Sequence, residues 1–190
     1  MARWEPNARE RLAASALDLF VERGYEGTTA AEIATRAGLA KSTFFRHFTD
    51  KREVLFAGGE LLSEAFVTAI GSCPPGTAPL KLVEAALGAA AHPFNADRRD
   101  WVVKRQTVIA ANTELLEREL LKQAAMTEAM TTALQARGLS PREAAVTAGL
   151  GTLAFRAAFA RWIAPSNDRD FTDLAHEELT ATAEVAATLG

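Results

Sequence analysis

Residues 28–56 read TTAAEIATRAGLAKSTFFRHFTDKREVLF, and this stretch constrains the fold more than any other part of the chain. Thr29 followed three residues later by Glu32 is a capping box, in which hydroxyl and carboxylate each satisfy a free backbone N–H at a helix start. Ile33 and Ala34 are its inward residues, and Gly38 supplies a left-handed turn. A further helix is predicted over 40–48, anchored by Phe44 and Phe48 at i, i+4. Asp50 with Glu53 repeats the capping signature and opens a fourth helix, predicted from Lys51 to about Gly71. Ahead of them, Leu12, Ala16, Leu19 and Phe20 share one helical face over Pro6–Arg23, and Gly24 ends that helix. Caps, turn and anchors agree on a helix-turn-helix.

A recognition helix must carry short polar and basic side chains where they reach base edges in the major groove. Lys41, Ser42 and Thr43 stand at the start of the third helix, and Arg46 follows one turn on. An arginine there is placed to take a guanine bidentately, worth roughly 1–3 kcal/mol of discrimination. His47 is assigned to a phosphate. Thr28 and Thr29 at the second helix and Lys51 at the fourth are assigned to phosphates too, contacts that fix register without reading sequence. The bland alternative, ordinary solvated polar residues on small helices, leaves the agreement of caps, turn and anchors unexplained.

The segment Arg9–Phe56, above all GLAKSTFFRHFTDKREVLF, resembles the N-terminal domain of the TetR family of bacterial transcriptional regulators. The resemblance implies a three-helix DNA-binding domain over 1–56 and a helical ligand-binding and dimerisation domain over 57–190. It also implies a homodimer on a near-palindromic, double-stranded operator. Two positions depart from the family pattern. Ala40 stands where a Ser or Thr usually caps the recognition helix, a loss typically worth ~0.5–2 kcal/mol. Phe45 replaces a tyrosine, so it offers no hydroxyl, although its ring is able to pack on a thymine methyl. Phe45→Tyr is expected to tighten operator binding by adding a phosphate hydrogen bond.

The remainder reads as all-α, giving about nine helices in total. Ala and Leu dominate and β-branched runs are few. Further helices are predicted over 78–91, 96–111, 114–137, 141–163 and 170–188. Ser140-Pro141-Arg142-Glu143 is an N-cap with proline at the first helical position. Ser72-Cys73-Pro74-Pro75-Gly76 is a break, and the fourth helix is expected to bridge the two domains without a linker. Net charge is −3: residues 1–56 hold nine Lys/Arg against eight Asp/Glu, and residues 57–190 hold 12 against 16. A mildly basic reader on an acidic body contacts few phosphates per subunit, although so small a difference also fits plain charge scatter. One cysteine, Cys73, excludes an internal disulfide framework. The N-terminus carries no long apolar signal region, and charge-free apolar stretches fall short of the ~20 residues of a bilayer span. A cytoplasmic protein that does not enter a membrane is expected.

Residues Trp101–Ile163 are similar in helix pattern and short matches to the C-terminal domain of actinobacterial TetR-type regulators of the mycofactocin-regulator group. That resemblance implies an acyl-CoA-like or other amphipathic effector. From the residues themselves, Phe94, Trp101, Phe155, Phe159 and Trp162 with Arg105 and Arg156 form a candidate pocket for a greasy tail bearing a carboxylate or phosphate. The competing reading makes the aromatics core and the arginines surface groups that snorkel or pair with glutamates. Helix 141–163 is apolar on more than one face: Val146, Leu150 and Leu153 on one side, Phe155, Phe159 and Trp162 on another. With the last helix it suits a four-helix dimer interface, the alternative being burial within the monomer. His47, His92, His176 and Cys73 are scattered, with no metal-ligand spacing, phosphate loop or nucleophile motif, so no catalytic site, metal or cofactor is expected. A constitutive DNA-binding protein without effector remains the second reading.

Overall fold

The computed structural model describes residues 8–91 and 93–189. Among them the chain is all-helical: α1 (Ala8–Arg23), α2 (Ala30–Arg36), α3 (Lys41–His47), α4 (Glu53–Phe56), α5 (Gly59–Ser72), α6 (Pro79–Gly88), a 3-10 turn (Ala89–Ala91), α7 (Ala96–Ala110), α8 (Thr113–Ala136), α9 (Pro141–Trp162) and α10 (Phe171–Thr188). The expected helix start at Pro6 and the assignment of His92 to a helix end lie outside the described residues.

Both full capping boxes form as the sequence predicts. Thr29 accepts from the Glu32 N–H while the Glu32 carboxylate accepts from the Thr29 N–H, and Ser140 and Glu143 do the same at α9. Asp50 Oδ1 accepts from the N–H groups of Arg52 and Glu53, at 2.8 and 3.0 Å, which starts the fourth helical segment.

That segment is not the single helix predicted over 51–71. It breaks at Ala57–Gly58, where Gly58 sits at φ +108° and ψ −13°. A side chain is strained in that region, and glycine enters it at no steric cost. Amphipathic spacing continues across the break, which is why periodicity alone runs the two pieces together. Counted as one, α4 and α5 leave nine α-helices among the described residues, the number expected.

The same stretch, Glu53–Ser72, is 20 residues long and apolar enough to cross a membrane by length and composition, although with Glu53, Glu60 and Glu64 it is not one of the charge-free stretches expected to fall short. Its backbone breaks at Gly58, its Glu60 and Glu64 are exposed, and Val54, Leu55 and Phe56 are buried in the core of the first unit.

The chain forms two units, residues 1–57 with 100–119, and residues 58–99 with 120–190. The first therefore takes in a segment the 56/57 division leaves out. Its core is Leu12, Ala16, Leu19 and Phe20 of α1, Ile33 and Ala34 of α2, Phe44 and Phe48 around α3, and Val54, Leu55 and Phe56 of α4. Val108, Ile109 and Leu115, from the corner between α7 and α8, complete it, and Trp101 packs against it. Each large apolar side chain so buried contributes about 1.5–3 kcal/mol.

The second unit packs α5, α6, α9 and α10 together with most of α8. Arg137 donates to the carbonyls of Gly71, in the last turn of α5, and of Pro74 just beyond it, and Arg99 donates to those of Trp162, the last residue of α9, and of Ala164 just beyond it. Both arginines satisfy helix-end carbonyls that have no partner within the helix. Cys73 Sγ, half-buried, donates to the Ala69 carbonyl at 3.3 Å.

Candidate nucleic-acid interface

The turn between α2 and α3 is built from both sides. Gly38 lies at φ +67°, the Leu39 N–H bonds the Ala34 carbonyl at 2.9 Å, and Arg11 Nη2 donates to the Ala37 carbonyl. Arg11 is a positioning residue that sequence reasoning missed, because its contact spans 26 residues and nothing local signals it. Phe44 is fully buried and Phe48 nearly so, with ring centroids 5.6 Å apart, and they lock α3 to the core by its inner face. Ala40 holds the extended N-cap geometry but supplies no side-chain cap.

The outer face of α3 presents Lys41, Ser42, Phe45, Arg46 and His47 as exposed residues, with Thr43 half-buried. These six sequence-predicted residues share one short helix. The other three are engaged within the protein. Thr28 is 1% exposed, and its hydroxyl donates to the Gly24 carbonyl at 2.9 Å. Thr29 is occupied with its capping box, which holds the Glu32 carboxyl below its usual range through the Thr29 hydroxyl and backbone hydrogen bonds. Lys51 Nζ donates to the carbonyls of Tyr25 and Thr28, at 2.8 and 3.2 Å, and lies 4.1 Å from the centre of the Tyr25 ring. Lys51 thus ties the fourth segment to the loop before α2.

Ion pairs brace this scaffold. Arg36 pairs with Glu22, and the hydrogen bond holds that carboxyl below its ordinary value. Burial pushes the Asp50 carboxyl up, but the Arg52 hydrogen bond and charge outweigh it and leave it lowered. Arg52 also reaches Glu114 at the start of α8.

The residues predicted for an effector pocket divide between the units. Phe94, Phe155, Phe159 and Trp162 come together in the second, with Phe94 5.5–5.7 Å from the other three ring centres. Phe171 joins them, 4.9 Å from Phe94, and Phe66 lies edge-on to Phe155. Neither was singled out from sequence, since Phe171 opens a helix after a polar loop and Phe66 reads as one residue of an ordinary amphipathic stripe. Trp101 and Arg105 belong to the first unit. Arg105 binds Glu119 at 2.7 Å and the Leu55 carbonyl at 2.6 Å, and its guanidinium stands 5.2 Å from the Phe56 ring. Arg156 is exposed. A separate cavity of about 600 Å³ opens between α6 and α10 of the second unit, with Lys81, Glu84, Asp173 and His176 among its walls. No group of three or more His, Cys, Asp or Glu is placed to hold a metal ion among the described residues.

Residues 12–57 match the family model described as bacterial regulatory proteins, tetR family. The HTH-type transcriptional regulator TcmR of Streptomyces glaucescens is 40% identical over 81 residues, covering 43% of this chain and 36% of that protein. The HTH-type regulator YerO of Bacillus subtilis (strain 168) is 29% identical over 112 residues, 56% of this chain and 38% of that one. The chain thus spans little more than a third of the length of these relatives. Among solved structures, a transcriptional regulator (TerR/AcrR family) of Aquifex aeolicus VF5 superposes with a TM-score of 0.60 at 20% identity, covering 93% of this chain and 98% of that one. SmeT, the repressor of the Stenotrophomonas maltophilia multidrug efflux pump SmeDEF, gives a TM-score of 0.58 at 18% identity, covering 94% and 89%. These likenesses show the fold over more than nine-tenths of the chain.

Proposed function

We propose that this chain, which carries a TetR-family helix-turn-helix domain followed by a helical C-terminal domain, is a ligand-responsive transcriptional regulator that binds a palindromic operator as a homodimer. The observation that carries the reading is α3, held inward by Phe44 and Phe48 while Lys41, Ser42, Phe45, Arg46 and His47 face outward. Cations flanking short polar groups on a rigid helix suit phosphate contacts at the rim and base edges at the centre. Two such helices engage successive half-sites about 34–36 Å apart. Lys51, Thr28 and Thr29 act in this reading by holding the domain's shape, and through their backbone position beside it.

Selection of random duplex DNA by the full-length protein tests this directly. A palindromic sequence is expected to emerge, with affinity that falls steeply with salt and is lost in a Lys41→Ala/Arg46→Ala variant. No enrichment, together with no salt-dependent binding, would sink the reading.

Repression relieved by a small amphipathic effector is the mode of action we infer, with fatty acyl-CoA thioesters the first class to test. The apolar ring cluster around Phe94 supports a greasy ligand. An effector that binds one arrangement of the dimer better shifts the population toward it and lowers operator affinity by the same coupling. The close contacts among those rings also favour the second reading, a constitutive regulator whose second unit is core and interface. A panel of acyl-CoA chain lengths separates the two: a dose-dependent rise in Tm with release of operator supports the effector, and a flat panel supports the constitutive protein.

A further inference from the structure

The cavity of about 600 Å³ between α6 and α10 lies wholly within the second unit, and among the described residues no ring of the Phe94 cluster lines it. Its floor is apolar and buried, formed by Leu87, Ala175 and Leu179. Ala85 and Gly88 stand on the α6 side, and a Cβ at Gly88 would meet nothing within 4 Å beyond its own helix. The mouth is charged. Glu84 of α6 binds Lys81 at 2.5 Å and reaches across to His176 Nδ1 of α10 at 3.0 Å. Arg169, ahead of α10, holds Glu177 at 2.6 Å, and Asp173 also lines the wall.

An apolar floor under a few fixed polar groups suits a small molecule, and the charges select its head group. Lys81 and Arg169 oppose Glu84, Asp173 and Glu177, so the walls carry one net negative charge with His176 neutral. Arg161 and Glu178, paired behind them, add one charge of each sign. Both lining cations already hold a carboxylate, which an incoming anion would have to displace. The Lys81 hydrogen bond holds the Glu84 carboxyl below its usual range, and the Arg169 hydrogen bond does the same for Glu177. A neutral His176 that donates from Nδ1 to Glu84 keeps Nε2 as an acceptor. Acceptors and negative charge above a hydrocarbon floor call for a cation with N–H donors and an apolar body.

We propose that the α6–α10 cavity binds an amphipathic primary amine, its ammonium among Asp173, Glu84 and His176 and its hydrocarbon body on Leu87 and Leu179. The site is distinct from the ring cluster around Phe94, and it does not rest on the DNA-binding reading. An amine held there ties α6 to α10, so it stabilises the second unit.

Octylamine, octanol and octanoate share one chain and differ in head group. With the full-length protein, octylamine is expected to raise Tm in a dose-dependent, saturable way and to give saturable heat in titration calorimetry. Octanol and octanoate are expected to do so more weakly. Gly88→Leu grows a side chain into the cavity and should keep the fold, read by circular dichroism, while losing the octylamine response. Ala85→Leu, on the same wall, is the second blocking variant. Asp173→Asn keeps the shape and should weaken octylamine roughly two- to five-fold, the size of one exposed ion pair. A flat or falling Tm with octylamine overturns the proposal. So does an octylamine response that survives both blocking variants, which places the amine elsewhere. An octanoate response equal to that of octylamine and lost in the same variants overturns the choice of a cation.

Discussion

Ala40 holds φ −73° and ψ 149°, the extended geometry a helix cap needs, yet brings no oxygen to the free N–H groups of α3. Ala40→Ser is expected to add the missing acceptor and stabilise the protein by ~0.5–2 kcal/mol. A scanning calorimeter checks this: Tm should rise by about 2–4 °C per kcal/mol for a chain of this size, and an unchanged Tm would mean that water already serves those groups. Tyr25 makes a second prediction at the same scale. Burial, with the nearby Glu114 charge, pushes its hydroxyl from 10.0 to about 12. The unfolded chain then loses this proton at lower pH than the folded one. Stability from this group is complete below pH 10 and falls as pH rises from 10 toward 12. Urea midpoints across that window should drop in the wild type and drop less in Tyr25→Phe. Parallel curves would place the alkaline loss elsewhere. Lys51 belongs here too, for its side chain was legible as a cation at the right place in the chain. Its bonds to the Tyr25 and Thr28 carbonyls were not, because the partners lie 26 and 23 residues back.

Between elements, α6 and α9 approach closely in the second unit. A methyl added at Gly151 would lie 2.5 Å from Val83 Cγ1, so the two helices meet at a position with room for no side chain. Gly151→Ala is expected to cost about 1–3 kcal/mol by overpacking. Adding Val83→Ala should recover part of the loss, a coupling that denaturant titration of the double-mutant cycle reads. Additive costs would show that the helices simply move apart. Elements were the scale at which sequence spoke most clearly. The Thr29–Glu32 and Ser140–Glu143 boxes act over three residues and were visible as such. The break at Gly58 was not, because an apolar stripe carries no mark of a backbone turn and the Gly58–Gly59 pair reads equally as two weak helix residues. Nor was the cradle around Phe56, where Arg105 and Arg118 stand 5.2 and 5.4 Å from the ring. Arg105 was noticed as a cation among apolar residues and assigned to a ligand. Its partner Glu119 lies across the turn from α7 to α8, a pairing that only the fold of that corner creates.

For the whole molecule, the exposed surfaces of α9 and α10 include large apolar side chains: Val146 and Leu153 are 59% and 55% exposed, and Val185 of α10 is 61% exposed. Core-facing residues of α9, including Ala148, Ala154 and Phe155, lie on its other sides, so the sequence's reading of a helix apolar nearly all round has a structural counterpart. In the proposed dimer these faces meet a second copy. Val146→Glu/Leu153→Glu is expected to convert a dimer to a monomer in light scattering and to weaken operator binding by uncoupling the half-sites. A wild type that stays monomeric at micromolar concentration would refute that assembly. The division into two units has another use, found in where the indoles fall. Trp101 packs against the first core, while Trp162 sits in the ring cluster of the second. In a Trp4→Phe background, removing either remaining indole leaves a single tryptophan, in the second unit or in the first. Emission spectra of the two variants then report separately on the melting of each unit, and on whether DNA or a ligand is felt in both.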